Sequence, residues 1–296
     1  MEQDILNEPL FKERSYVKSI SAGTRLPLRH PLGFLRQIWP LLVINMLVFA
    51  ALSGRISTDI WTFYQEAIAP GKIPFDLISN SCLMVLGWGY TAMLLLGVLA
   101  GQVTYLMQRY AELNYLPAVK PWKIWYDIHP HVLHGILLCI VGYTVTVGFA
   151  LLSLAVMPSR LWALVLFMFL TMLWAIYYVP VGQHFMMEHR SFLSALLWPA
   201  KHIGQLGGST AILIVCGIIL ILVILAGSIP TICTIYVGGL SDQSVLNGDG
   251  TDIHSSFGFI RALSYAMTFL VATVAWTFIF VPLCFHWGSE QTNQNA

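Results

Sequence analysis

Six long apolar runs separated by short polar segments organise the 296 residues of the chain. They fall at about 38–54, 77–107, 132–157, 161–187, 207–237 and 262–287. Crossing a hydrocarbon core of about 30 Å takes roughly 20 helical residues, so each run predicts a transmembrane α-helix. The first is short and carries Asn45. The second extends from Asp76 to Gln108 with no ionisable side chain besides Cys82 and the tyrosines. A run of that length implies tilt or extension beyond the bilayer. The expected fold class is an all-α membrane protein with six transmembrane helices.

A second pattern lies on the polar side of the odd-numbered runs. In KPWKIWYDIHPHVLHGIL (120–137), Pro121 and Pro130 stand nine apart with a Trp-rich amphipathic segment between them. Pro31 and Pro40 repeat that spacing in PLGFLRQIWP, with Trp39 where His129 stands. RSFLSALLWPAKHIGQL (190–206) gives a third copy through Trp198 and Pro199, although Arg190 replaces the first proline. Such a segment can lie in the headgroup plane, and a proline at the following turn suits a first helical position, whose N–H needs no partner.

The even-numbered runs match one another too. WAIYYVPVGQHF (174–185) aligns without gaps to WTFIFVPLCFHW (276–287), pairing Trp174 with Trp276, Pro180 with Pro282 and His184 with His286. Gly101-Gln102 followed by Arg109 matches Gly182-Gln183 followed by Arg190. Three units of elbow plus helical hairpin, at 31–109, 121–189 and 190–288, account for both sets of matches. They make up a transmembrane domain over 31–288, preceded by a polar N-terminal tail (1–30), expected to be poorly ordered, and followed by a short tail (289–296). Pro180 and Pro282 predict bends, because a helical proline removes a backbone hydrogen bond and displaces a carbonyl.

Composition agrees: 57% of residues are hydrophobic and only 10% charged, against roughly 25% charged in a soluble domain. The net charge of +1, with no block of Lys and Arg, excludes a nucleic-acid partner. Basic residues set the orientation. Lys12, Arg14, Lys18, Arg25, Arg29, Arg36, Arg109, Lys120, Lys123, Arg190 and Lys201 share one predicted side, leaving Arg55, Lys72, Arg160 and Arg261 on the other. Both termini are therefore expected in the cytoplasm. The five cysteines sit within apolar runs without CxxC or finger spacing and read as small buried hydrophobes.

The chemistry-bearing residues are mainly histidines. His129, His131, His134, His184 and His189 all fall on the predicted cytoplasmic side, and Glu188 follows His184 by four, the spacing of one helical face. His129, His131, His134, His184, Glu188 and His189 could ligate a metal at the helix ends, as in membrane di-iron hydroxylases. The paired HxxHH boxes of those enzymes are missing, and HFMMEH has neither HExxH nor HxxEH spacing. Histidines anchored at the interface are the simpler account. Asn247, Asp249 and Asp252 resemble part of a calcium loop, but the twelfth position is Gly258 rather than Glu. No Walker loop, GxGxxG, GxSxG or paired-carboxylate motif occurs. No Asp, Glu, Lys or Arg lies centrally in any run, which disfavours proton-driven transport.

The three-fold plan, with FLRQIWP and FLSALLWPAKHI at its elbows, resembles poorly characterised bacterial six-span proteins related to the membrane domain of some glycerophosphodiester phosphodiesterases. The resemblance implies a lipid-proximal or membrane-homeostasis role and carries no catalytic residues; the expected location is a bacterial cytoplasmic (inner) membrane. The expected function is non-enzymatic: binding or moving a small amphipathic, lipid-like molecule, or supporting a membrane complex. Trp174, Pro180, His184, Trp276, Pro282 and His286 are expected to line or shape a cavity at the cytoplasmic end. Expected partners are membrane lipids, with a small amphipathic ligand or another membrane protein, and no cofactor is expected. The alternative is the histidine-ligated metalloenzyme.

Overall fold

The structure, a computed structural model, describes residues 9–29, 36, 38–40, 42–53, 75–114, 121–157, 159–188, 191–202, 206–246 and 256–294. Among them every regular element is helical: α1 (Tyr16–Arg29), α2 (Ile38–Ser53), α3 (Phe75–Leu113), α4 (Pro121–Val156), α5 (Arg160–Met187), α6 (Phe192–Lys201), α7 (Leu206–Leu246) and α8 (Ser256–Gln294). Five of them, α3, α4, α5, α7 and α8, are long and apolar enough to cross a membrane, as a multi-pass membrane protein requires. The short first run forms α2, a 16-residue helix at most.

Local chemistry explains the helix ends. Ser159 takes extended geometry and its side chain accepts from the Trp162 N–H, starting α5; Ser191 does the same for α6 through Ser194. Asn114 ends α3 with φ of 57° while its N–H donates to the Tyr110 carbonyl at 2.8 Å. Asparagine is one of the few side chains that accept this left-handed geometry at a helix end.

Two findings depart from the sequence expectations. First, residues 9–29 are not a poorly ordered tail. Ser19, Ala22, Gly23, Leu26 and Pro27 make a buried stripe along α1, with Lys18, Arg25 and Arg29 on the exposed side. A Cβ on Gly23 would lie 2.8 Å from Pro282 Cδ and closer still to its backbone, so α1 crosses α8 in backbone contact. Short-range polarity hid a helix whose order comes from the helix it lies on. Second, the elbows differ in form. The second is continuous with its span, since α4 runs unbroken through Pro130, whereas the third is the separate helix α6. Most of the first elbow, at residues 31–35 and 37, lies outside the described residues.

The chain divides into two compact units. The first holds Met1–Pro40, Met93–Leu220 and Trp276–Ala296, and the second Leu41–Ala92 and Ile221–Ala275. In the first unit, Leu106, Met107 and Tyr110 of α3, Ile128 of α4, Val181 and Phe185 of α5, and Val281 and Phe285 of α8 form one buried core with Leu10. In the second, the Phe49 ring lies tilted against Phe269 and Trp88 (4.7 and 5.5 Å), and Trp88 donates to Ser53 Oγ at 2.9 Å. There Thr231 pairs with Thr268 at 2.7 Å and with the Ser264 carbonyl at 3.1 Å, and Thr234 meets Ser264 Oγ at 3.1 Å. Apolar surroundings leave such hydroxyls no partner but each other and the backbone.

Burial is uneven among the apolar helices. The most apolar window is 61% buried in α3 and in α8, but 6% in α4 and 11% in α5. Leu151, Leu154, Leu161, Met168 and Phe169 are all more than half exposed. An apolar face of this extent is a cost in water and none in lipid.

Candidate functional site

The first unit contains a cavity of about 560 Å³, inside the range of about 300–1,000 Å³ usual for small-molecule sites. Its wall is built from Leu138, Cys139, Gly142 and Tyr143 of α4, Trp174, Ala175, Tyr178 and Gly182 of α5, and Trp276, Ile279, Phe280 and Leu283 of α8. Met93 and Ala100 of α3 and Leu213 of α7 also line it, and Thr146, Thr171 and Gln183 add polar side chains. No charged side chain is among the described residues that line it.

The wall is held by polar side chains turned onto backbone. Tyr178 donates its hydroxyl to the Leu138 carbonyl at 2.8 Å, joining α5 to α4. Gln183 donates to the Leu283 carbonyl at 2.9 Å and accepts from Ser209 Oγ at 3.2 Å, tying α5 to α8 and α7. Trp174 stacks on Tyr178 (4.5 Å, 22°) and meets Phe149 edge-on; Trp276 stacks on Phe280 (5.0 Å, 14°). Two polar atoms stand apart. Trp174 Nε1 and Thr171 Oγ1 are buried and make no hydrogen bond within the chain.

The six residues expected to shape a cavity separate into three pairs. Trp174 and Trp276 line it. Pro180 and Pro282 are buried inside α5 and α8, between those tryptophans and the histidines. His184 and His286 are buried at 2% and 5% exposure and lie off the cavity wall.

Each of these histidines has a carboxylate four residues on. His184 Nδ1 is 2.5 Å from Glu188 Oε1, and His286 Nε2 is 3.2 Å from Glu290 Oε1. Glu188 Oε1 also accepts from Trp287 Nε1 at 3.0 Å and from Gln291 Nε2 at 2.7 Å. One carboxylate oxygen therefore gathers donors from α5 and α8. On its other side His184 lies over Trp198 of α6, ring centroids 3.8 Å apart, and His202 stacks on the same indole at 4.5 Å. Gly208 of α7 abuts the His286 ring so closely that a Cβ would overlap it. Glu290 was not singled out from sequence, yet the ungapped match of 174–185 with 276–287, carried three residues further, sets it opposite Glu188.

The other histidines weighed as metal ligands disperse. His131 packs against the Tyr105 ring at 5.6 Å, His134 meets Phe185 edge-on at 4.6 Å, and His129 is exposed. His189 lies outside the described residues, as do Asn247, Asp249 and Asp252. Among the described residues no group of three or more His, Cys, Asp or Glu is arranged to hold a metal ion. Comparison with protein-family models, with curated proteins and with solved structures finds no match to this chain.

Proposed function

We propose that the chain is a non-enzymatic, six-span protein of a bacterial cytoplasmic membrane that binds or moves a small amphipathic, lipid-like molecule through the cavity of its first unit. The observation that carries this reading is the cavity itself, an apolar space of about 560 Å³ edged by two tryptophans. A cavity of this make-up suits a lipid-like body, because burying apolar surface is favourable and no wall charge calls for a counter-ion. In this reading α2 is the first of the six spans. The three units 31–109, 121–189 and 190–288 are one repeated plan, and both termini are cytoplasmic. The proposed kinship is with the six-span relatives of glycerophosphodiester phosphodiesterase membrane domains, through their architecture and not their activity.

Native mass spectrometry of the detergent-purified chain tests the binding. Wild type is expected to retain an adduct of lipid mass. Ala175→Phe, which places a ring inside the cavity, is expected to lose at least about three-quarters of it while unfolding within a few degrees of wild type. An adduct kept in full by folded Ala175→Phe, or missing from wild type, would overturn the reading.

Topology has its own test. A reporter fused at residue 247 is expected to be extracytoplasmic, and one at residue 115 cytoplasmic. The reverse pattern would invert the orientation.

A further inference from the structure

Helix α1 has three faces, and the chain's own packing uses one of them. Ser19, Ala22, Gly23, Leu26 and Pro27 are buried, with Gly23 set against Pro282 of α8. On the far side, Val17 and Leu28 are 72% and 66% exposed. They stand about three helical turns apart and so share one line along the helix. Beside it runs a second line of Lys18, Arg25 and Arg29, all exposed and also in helical register. α1 contains no Asp or Glu. The contacts of α1 fix its depth. Its first residue, Tyr16, meets His286 edge-on with ring centroids 6.2 Å apart, where the apolar run of α8 gives way to Gly288, Ser289 and Glu290. Gly23 meets Pro282, one turn or about 6 Å further into that run. Interfacial helices lie about 5–10 Å into the boundary between headgroups and acyl chains, and α1 keeps to that layer.

We propose that α1 is an interfacial helix whose partner is the surface of the bilayer itself. Val17 and Leu28 sit among acyl chains, while Lys18, Arg25 and Arg29 rest on the phosphates of anionic phospholipids. The long basic side chains reach outward from the apolar line to that charge, as snorkelling residues do. A bilayer edge presents hydrocarbon and anionic phosphate side by side, in the order in which α1 carries its apolar and basic lines. A docked protein would have to bring an acidic strip beside an apolar one, whereas the bilayer supplies both wherever α8 ends. Each basic residue held near an anionic surface favours binding about five-fold, and no acid on α1 opposes it. This role is separate from the cavity and requires neither a ligand nor transport through it.

Two measurements on the full chain test this. In the first, fluorescent phosphatidylglycerol and phosphatidylcholine with the same acyl chains are titrated onto the protein in uncharged detergent and followed by anisotropy. Wild type is expected to bind the anionic lipid about ten-fold more tightly at about 50 mM salt, and about three-fold or less at about 500 mM. Lys18→Gln/Arg25→Gln is expected to bring the preference down to about two-fold at low salt. Its affinity for phosphatidylcholine and its unfolding midpoint should stay as in wild type, because glutamine suits an exposed helical position as well as lysine or arginine. Equal binding of the two lipids by wild type would overturn the proposal. So would a preference that the double variant keeps in full, since the anionic lipid would then bind elsewhere on the chain. The comparison of lipids and its salt dependence need no variant. In the second measurement, photoreactive p-benzoylphenylalanine in place of Leu28 is irradiated in membranes of the expressing cells. The expected product is the chain carrying one phospholipid mass. A cross-link to another protein would make this face a protein-docking surface, and no cross-link would leave it in water; either overturns the proposal. Neither result bears on the cavity, whose own test is the adduct lost from Ala175→Phe.

Discussion

Truncating Glu188 to alanine is expected to destabilise the chain by about 3 kcal/mol, read as a fall of several degrees in the apparent unfolding midpoint in detergent. The carboxylate is where α5 and α8 meet: Oε1 accepts from Trp287 and Gln291 of α8 as well as from His184 one turn back on α5. Alanine leaves all three donors without that acceptor. A buried donor left unsatisfied costs about 1–3 kcal/mol, and the side chain of Glu188 is 12% exposed, so some water can take its place and the sum falls toward the low end. Glu188→Gln keeps an oxygen at the same reach and gives up the charge, so it is expected to cost about 1 kcal/mol. The ordering of the two variants is the test. If alanine and glutamine unfold alike, the oxygen is not what joins the helices. If neither differs from wild type, the contact is replaced by solvent without loss.

The same cluster shows where the sequence is legible and where it stops. His184 with Glu188 can be read from one helical face, since a spacing of four is a local fact. Trp287 and Gln291 cannot, because their approach to Glu188 depends on how α5 and α8 cross. Apolar runs predicted the long helices for a similar reason: their signal is composition over some twenty residues, which needs no knowledge of neighbours. The N-terminal helix failed to register because its buried stripe holds one large apolar side chain, Leu26, beside Ser19, Ala22, Gly23 and the helix-breaking Pro27. Its order comes from fitting closely onto Pro282. His131 and His134, singled out by number and spacing, turn out to pack on aromatic rings of different helices. For the cavity, sequence symmetry pointed to Trp174 and Trp276. The unpaired state of Thr171 and Trp174 belongs to the three-dimensional arrangement, and no periodicity reports it.

The largest mutational effect is expected from three glycines whose packing role was not read from the sequence, although Gly97 and Gly101 are spaced as GxxxG, a known signature of close helix packing in membranes. A Cβ on Gly97 would stand 2.6 Å from Ile136 Cα and 2.8 Å from the Gly135 carbonyl oxygen. One on Gly101 would fall 2.6 Å from the His131 carbonyl carbon and closer to Val132 Cα, and one on Gly135 would strike the Gly97 carbonyl. The obstacles are backbone atoms, which cannot rotate aside as a side chain can. Gly101→Leu must therefore drive α3 and α4 apart along several turns. The cost is expected to exceed about 4 kcal/mol, the range reserved for gross overpacking, and to abolish the monodisperse peak in size-exclusion chromatography of a fluorescent fusion. Gly148 lies on α4 with nothing near its Cβ position. Gly148→Leu is therefore expected to elute as wild type and to gain up to about 1 kcal/mol of helix propensity. A Gly101→Leu protein that elutes and unfolds like wild type would mean that the two helices do not cross in backbone contact. Leu138, Cys139 and Gly142 stand within two turns of that crossing on α4 and form one wall of the cavity. Gly101→Ala, a milder wedge, is therefore expected to weaken retention of the lipid-mass adduct in protein that still folds, because the closeness of α3 and α4 also sets the width of the cavity.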